Sequence, residues 1–135
     1  YRNYQNKALK KQGFRDKING TLSVPIETYE QNLETLVKQL EATDATLIWA
    51  STTVVPEGEE GRFVGDEIKY NEVAAKIMRK HRIIIDDLYS LTKSFPPEMF
   101  ISPGNVHYTK EGSRKLGTQV AASIAKALKA PVHIQ

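Results

Sequence analysis

One histidine near the end of the chain could do chemistry. In the stretch FISPGNVHYTKEGSRKLG, from Phe100 to Gly117, His107 lies between a glycine-bearing turn and the expected start of a helix. An imidazole titrates near neutral pH, so His107 could act as a general base, and the alternative is a turn residue beside a helix cap. The three histidines show no ligand spacing such as HExxH and there are no cysteines, so we expect no metal and no cofactor.

Further candidate side chains follow two short apolar runs. The run Thr46–Ser51 and the stretch RIIIDDLY, centred on Ile84, are typical of strands buried on both faces of a sheet. Ligands of α/β folds bind outside the carboxyl ends of such strands. We therefore expect a site near the carboxyl ends of the two strands, with substrate contacts from residues at the end of the first strand. The candidates are Ser51, Thr52 and Thr53 at the first end, and Asp86 and Asp87 at the second.

The loop Thr52–Asp66, rich in Gly, Pro and Glu, adds Arg62. Arginine can bind a substrate carboxylate through two parallel hydrogen bonds. A solvated loop arginine is the alternative. Trp49 is expected in the core rather than on a sugar, Asn71 on a helix surface or in helix packing, and Thr109 at the N-cap of the last helix.

The expected strands alternate with helices. Apolar residues recur at three- and four-residue steps in residues 25–43 and 67–81, and again after Thr109, which predicts three amphipathic helices. Alternating helices and apolar strands predict an α/β fold with a parallel sheet. The expected buried stripes are Ile26, Tyr29, Leu33, Leu36, Val37 and Leu40 in the first helix, Tyr70, Val73, Ala74, Ile77 and Met78 in the second, and Leu116, Val120, Ile124 and Leu128 in the last, with Pro131 beyond its end.

Composition limits the class of protein. A length of 135 residues with 40% hydrophobic and 26% charged side chains predicts one globular domain. No apolar run approaches the roughly 20 residues of a membrane span, so we expect no membrane partner. The sequence begins with Tyr1 rather than methionine, and we expect a chain that is processed or part of a longer protein.

Residues 1–22 predict a basic, irregular leader. Six basic side chains lie against a single acidic one, Asp16, within residues 1–17. A basic arm can bind phosphate or nucleic acid, which leaves a nucleic-acid-binding α/β domain as an alternative. Because no nucleic-acid-binding motif follows, we expect a solvated leader and no nucleic-acid partner. Residues 131–135 are expected to form a tail.

Four stretches, in this order, resemble the C-terminal half of SGNH hydrolases, also called GDSL esterases. They are YEQNLETLVKQLEATDATLIWASTTVVPEGEEGRF, KYNEVAAKIM, IIIDDLY and VHYTKEGSRKLG, and the resemblance covers roughly residues 20–129. The type is similar to bacterial carbohydrate esterases such as rhamnogalacturonan acetylesterases. The resemblance implies a three-layer flavodoxin-like fold with a parallel sheet, in which residues 23–130 form the C-terminal part of the domain.

The family has four sequence blocks, and His107 matches the histidine of the last one, DxxH. The GDS serine, the glycine and the GxND asparagine have no counterpart here, so the resemblance implies a domain truncated at its N-terminus, with these blocks upstream of Tyr1. In DxxH the aspartate would stand at Gly104, and Asn105 is the nearest polar residue. Asp86 and Asp87 are conceivable substitutes, with N-capping as the alternative. An aspartate installed at 104 or 105 is expected to raise turnover.

The function that the resemblance implies is a serine esterase acting on acyl esters, in particular O-acetyl groups of a carbohydrate. This chain would carry His107 without the serine, and would be inactive alone. A secreted or periplasmic location is implied by the resemblance only, and the oligomeric state is left open. The alternative is a pseudo-esterase that binds ligands without catalysis, which Gly104 favours because it cannot balance an imidazolium charge.

Overall fold

The structure, a computed structural model, describes residues 1–5 and 14–129. Helices and strands alternate along the chain, followed by a short helix and a long last one. No helix in these ranges combines the length and the apolar character that crossing a membrane requires. The elements are α1 (Ile26–Glu41), β1 (Ile48–Ala50), α2 (Asp66–Lys80), β2 (Ile84–Asp86), α3 (Leu88–Lys93), a 3-10 turn (Pro97–Met99) and α4 (Lys110–Lys129).

The two strands form a parallel pair. Ile48 lies opposite Ile84, and Ala50 lies opposite Asp86, with α2 as the connection between the strands. A parallel pair needs a crossover of a dozen or more residues, and a helix meets that need. The predicted α/β class with a parallel sheet is therefore confirmed.

The core lies between α1, α2 and one face of the sheet. Val37 of α1 and Ile77 and Met78 of α2 are almost fully buried. Trp49 of β1 packs against them, as the sequence predicts. The predicted stripe of α2 is also confirmed, since Ala74, Ile77 and Met78 are buried and the rest of the stripe is half-buried. Partly buried residues that complete this core are Leu33, Val73, Ile83 and Ile85.

In α1 and α4 the predicted apolar stripe is wider than the face that becomes buried. Leu36 and Leu40 of α1 are 48% and 40% exposed, and Ile124 and Leu128 of α4 are 46% and 79% exposed. Successive residues of a helix turn by about 100°, so apolar residues spaced three and four apart spread over a wide face. A neighbouring element covers only part of the circumference, so only one narrow side of each helix becomes buried. Periodicity alone does not reveal how wide that neighbour is.

The prediction that both strands are buried on both faces is wrong. Ala50 is exposed and Ile84 is 39% exposed. Register and alternation direct both side chains to the face that α4 contacts, away from Ile85 and the core. One helix covers this face only in part, so an apolar sequence does not guarantee burial on both sides.

The described part of the leader lies against the loop that follows β1. Arg2 forms antiparallel bridges with Arg15 and Thr21, and the Lys17 ammonium donates to the Glu59 carbonyl at 2.8 Å. The leader residues Lys7, Lys10 and Lys11 lie outside the described residues, as do Pro131 and the expected tail.

Helix α3 begins at an aspartate cap, which confirms the N-capping alternative for Asp87. Asp87 precedes its first residue, and the Asp87 carboxylate accepts hydrogen bonds from the Ser90 N–H at 3.0 Å and from the Ser90 hydroxyl at 2.5 Å. Aspartate at an N-cap with serine three residues later is a short-range start signal for a helix. The helix is only six residues long, too short for a recognisable apolar stripe.

Candidate functional site

One cavity brings together four of the residues that the sequence singles out. It has a volume of about 530 Å³, and His107, Thr52, Thr53 and Arg62 all line it. Ligand cavities in proteins commonly measure about 300–1,000 Å³. Thr52 and Thr53 follow the carboxyl end of β1, where α/β folds bind their ligands. The cavity therefore has the size and the position of a ligand site.

His107 lies in a short loop that begins and ends at paired backbone. Phe100 and Tyr108 form an antiparallel bridge, and the Ile101 N–H donates to the His107 carbonyl at 3.0 Å. The His107 side chain is exposed, and within residues 1–5 and 14–129 its ring has no hydrogen-bond partner. The imidazole is thus available to a ligand in the cavity.

Asn105 contacts His107 through the backbone. Its carboxamide oxygen accepts the His107 N–H at 2.9 Å, which closes a turn of the side-chain-to-backbone type that asparagine favours. The Thr109 hydroxyl accepts the Gly112 N–H at 3.4 Å, which confirms the predicted N-cap of α4. The loop is therefore set by local hydrogen bonds on both sides of His107.

Gly104 has no room for a side chain. Its φ is +71°, and a Cβ built there would lie 2.6 Å from the Gly58 carbonyl oxygen. A left-handed φ and a contact this close both favour glycine. An aspartate side chain at 104 cannot be placed without moving the backbone of Gly58, which disfavours this position for the predicted gain in turnover.

The two aspartates at the carboxyl end of β2 have other partners and do not line the cavity. Asp86 is 3% exposed, and its carboxylate accepts a hydrogen bond from the Gln119 amide at 2.7 Å. Asp87 caps α3, and the hydrogen bonds from Ser90 hold its pKa below the usual value. The Ser51 hydroxyl donates to Asp87 at 3.2 Å, so these residues join the ends of the two strands.

Arg62 lines the cavity and also forms an ion pair with Glu59. Its Nη1 lies 2.8 Å from the carboxylate of Glu59, which is 1% exposed and also accepts the Gly61 N–H at 2.7 Å. Arg15 contacts the same carboxylate at 3.4 Å. Sequence reasoning missed Glu59, because nothing in an acidic surface-like loop distinguishes the one carboxylate that becomes buried.

Three side chains hold the backbone that follows β1. Asn71 accepts the Thr52 N–H and donates to the Thr52 carbonyl, both at 2.8 Å. Thr92 accepts the Val54 N–H at 3.1 Å, and Glu67 accepts the Val55 N–H at 3.2 Å. The sequence predicts Asn71 as a helix residue without a special role. Its contact with Thr52 is long-range, so no local pattern could have revealed it.

Two tyrosines complete one wall of the cavity. Tyr29 and Tyr70 pack edge to face with ring centroids 5.1 Å apart, and both line the cavity. Burial raises the pKa of each phenol, so both are neutral at ordinary pH. The Tyr70 hydroxyl donates to the Val24 carbonyl at 2.5 Å, which fixes its ring. This wall offers apolar ring faces next to the polar Thr52 and Thr53.

No group of three or more His, Asp or Glu side chains among the described residues is arranged to hold a metal ion. The cavity is lined by a histidine, hydroxyl groups, arginines, aromatic rings and the carboxyl groups of Asp66 and Glu67. This set can hydrogen-bond a ligand and accept a proton.

No protein-family model matches the chain, and a comparison with curated proteins found no match. Solved structures do match its fold. A lipase/acylhydrolase from Enterococcus faecalis has a TM-score of 0.66 at 20% identity, covering 76% of this chain and 53% of that one. An acetyl xylan esterase, AlAXEase, has a TM-score of 0.65 at 12% identity, covering 80% of this chain and 59% of that one.

A third structure, LAE5, is an α/β hydrolase from the metagenome of Lake Arreo in Spain. It has a TM-score of 0.63 at 16% identity, covering 79% of this chain and 50% of that one. The chain thus spans about half the length of these hydrolases. At these identities the likeness concerns the fold alone, which this chain shares with the three hydrolases. The rhamnogalacturonan acetylesterase subtype stays a prediction.

Proposed function

We propose that this chain is the histidine-bearing part of a serine ester hydrolase of the SGNH type. The observation that carries the proposal is the single cavity lined by His107, Thr52, Thr53 and Arg62 beside the end of β1. The fold shared with an acylhydrolase and an acetyl xylan esterase supports the same class of reaction. Neither feature alone would suffice, since folds host many functions and cavities many ligands.

In the proposed architecture the sheet is the middle layer of a three-layer flavodoxin-like domain. Ile85 belongs to the core formed with α1 and α2, whereas the next residue, Asp86, bonds to Gln119 of α4. Successive strand residues point to opposite faces, which supports helices on both sides. Residues outside the 135 would extend the sheet, in line with the half-length match to the hydrolases.

His107 acts as the general base in the proposed reaction. A serine supplied by residues outside the 135 attacks the ester carbonyl carbon while His107 takes the serine proton. When the tetrahedral intermediate collapses, the imidazolium returns that proton to the departing alcohol oxygen. Water then releases the acid in the same two steps. The oxyanion of each intermediate needs donors, which the family draws from its serine, glycine and asparagine blocks.

The imidazolium lacks the usual carboxylate in this scheme. Gly104 carries no side chain, and the Asn105 amide oxygen is bonded to the backbone. Replacing the triad aspartate of a serine protease by asparagine costs roughly 10⁴ in turnover. We therefore expect a turnover well below that of an esterase with a complete triad, unless residues outside the 135 supply an acid.

The proposed substrate is an O-acetylated carbohydrate. Tyr29 and Tyr70 offer ring faces to a sugar, and Thr52 and Thr53 offer hydroxyl groups. Arg62 is the candidate partner for a substrate carboxylate, because its ion pair with Glu59 fixes the orientation of the guanidinium group. Acetyl is the acyl group that the resemblance to carbohydrate esterases suggests.

The test uses the full-length protein that contains these 135 residues. His107→Ala is expected to reduce hydrolysis of p-nitrophenyl acetate by at least about 10²-fold, the lower end of what a general base contributes. Lys110→Ala, on the exposed first turn of α4, is the matched control and should hydrolyse at the wild-type rate. A folded His107→Ala protein with wild-type turnover would falsify the proposal.

A pseudo-esterase is the second candidate, and Gly104 is the observation that favours it. In that case the cavity binds an ester or a sugar without cleaving it. Full-length protein that binds acetylated xylan oligosaccharides, but leaves their acetyl groups intact over hours, would establish this alternative.

A further inference from the structure

The backbone changes partners where β1 ends. The Ser51 N–H still donates to the Asp86 carbonyl at 2.9 Å, which continues the pairing with β2. From Thr52 onward, side chains replace the neighbouring strand. Asn71 binds both the N–H and the carbonyl of Thr52, so one carboxamide on α2 fixes the two peptide groups on either side of the Thr52 Cα.

Thr53 is the exception in this segment. The N–H groups of Thr52, Val54 and Val55 each have a side-chain acceptor, whereas the Thr53 N–H meets no acceptor within the described ranges. Thr53 is half-buried and lines the cavity that contains His107. A backbone N–H that is shielded from water is strongly favoured to find a partner. Because no acceptor among the described residues serves the Thr53 N–H, a ligand or solvent has to supply one.

We infer that the Thr53 N–H donates a hydrogen bond to an oxygen of the bound substrate, and that Asn71 is the positioning residue that holds this donor in place. Asn71 acts through Thr52 and need not touch the ligand. The inference rests on the proposed function for the nature of that oxygen, an ester carbonyl or the carboxylate of the released acid.

Asn71 suits this task because its carboxamide offers one acceptor and two donors. Its oxygen takes the Thr52 N–H and its nitrogen gives a proton to the Thr52 carbonyl, with 19 residues of chain between the partners. The peptide that carries the Thr53 N–H also contains the Thr52 carbonyl, so it cannot rotate without breaking the bond from the Asn71 amide to that carbonyl. Leucine has nearly the same size and can make neither bond, and aspartate can accept but cannot donate.

The first experiment measures binding without chemistry. Acetate, the product of acetyl ester hydrolysis, is titrated into the ¹⁵N-labelled full-length protein, with sodium chloride at equal ionic strength as the reference. We expect the Thr53 amide resonance to shift in a saturable way. In Asn71→Leu the dissociation constant should rise about fivefold, as for the loss of one hydrogen bond. Glu72→Gln, the exposed neighbour on α2, should match wild type.

Three results of this titration would overturn the inference. They are saturable binding without movement of the Thr53 resonance, the same dissociation constant in wild type and Asn71→Leu, and no saturable binding at all. A variant that fails to fold is recognised by its collapsed amide dispersion. Asn71→Asp then takes its place, with an expected loss of affinity that is smaller but in the same direction.

The second experiment uses the full-length protein and p-nitrophenyl acetate. Asn71→Leu is expected to raise KM about fivefold with kcat within about twofold, the pattern of lost substrate binding. A fall in kcat that follows the folded fraction, with KM unchanged, would mean a merely structural role for Asn71. If the wild-type full-length protein hydrolyses no ester, the proposed function fails, and the acetate titration alone decides the role of Thr53.

Discussion

Gly104 and Gly58 lie where the loop of His107 meets the loop that follows β1. Both have a positive φ, +71° at Gly104 and +83° at Gly58, and a Cβ on Gly104 would meet the Gly58 carbonyl oxygen at 2.6 Å. This contact fixes one cavity-lining loop on the other. It also accounts for the absence of a side chain at position 104.

Gly104→Asp is accordingly expected to lower the free energy of unfolding by about 2 kcal/mol or more, because it combines a left-handed φ with a backbone clash. Urea denaturation measures this loss. Asn105→Asp is the matched control, since a carboxylate oxygen can still accept the His107 N–H, and its stability should lie within about 0.5 kcal/mol of wild type. Equal stability of the two variants would contradict the role assigned to the Gly58–Gly104 contact.

The described residues provide backbone bonds for the loop of His107 and none for its ring. Under the proposed function, a carboxylate paired with His107 would bring turnover toward that of complete triads, and turnover stays low without one. Asn105→Asp is then the local route to a charge in this loop.

At the scale of elements, α1 and α2 are joined at one end by a charged cluster. His81, which follows α2, places Nε2 3.0 Å from Glu34 and Nδ1 3.0 Å from Glu41, both on α1. Lys80 lies 2.6 Å from Glu34. The hydrogen bonds to Glu34 and Glu41 raise the pKa of His81, and those from Lys80 and His81 lower the pKa of Glu34 to about 2.

This cluster predicts a pH-dependent stability. Because the pKa of His81 is raised on folding, its contribution is fully present below its ordinary pKa of about 6.5 and is lost as pH rises through the folded value. His81→Gln should therefore lower the free energy of unfolding more at about pH 5.5 than at about pH 9. Glu34 remains charged at both pH values, since its folded pKa is about 2.

Urea titrations at the two pH values measure the difference between His81→Gln and wild type. Glu30→Gln, an exposed substitution on the same helix, serves as the control and should have little effect at either pH. A difference for His81→Gln that is equal at both pH values, or larger at the alkaline one, would contradict the assigned contacts with Glu34 and Glu41.

At the scale of the whole molecule, stability comes mainly from one side of the sheet. Val37, Ile77 and Met78 form the buried cluster between α1, α2 and the strands. The opposite face is only partly covered by α4, where Ile124 is 46% exposed. Substitutions on the two sides should therefore have unequal effects.

Ile77→Ala is expected to cost about 3 kcal/mol, the usual range for a buried large-to-small change. The same substitution at Ile124 should cost less than about 1 kcal/mol, because nearly half of that residue's surface is already exposed to water. Both values follow from urea denaturation of the 135-residue chain. Similar losses at the two positions would mean that the face under α4 is buried in solution.

Much of the fold follows from the sequence alone. The bounds of α1 and α2 lie within two residues of the predicted ranges, and β1 and β2 fall inside the predicted apolar runs. Helix periodicity, apolar runs and turn residues are local properties, so a pattern of neighbouring residues can reveal them. The same local reasoning found the N-cap at Thr109, and it selected His107, Thr52, Thr53 and Arg62 as candidates.

Only the tertiary structure decides which of these residues meet. It brings His107 to the same cavity as the loop that follows β1, whereas Asp86 bonds to α4 and Asp87 caps α3. It also buries Glu59, gives Asn71 its bonds to Thr52 and leaves Leu36 and Leu128 exposed. All of these depend on contacts between residues distant in the chain, and such contacts depend on how helices and loops pack rather than on the spacing of neighbours.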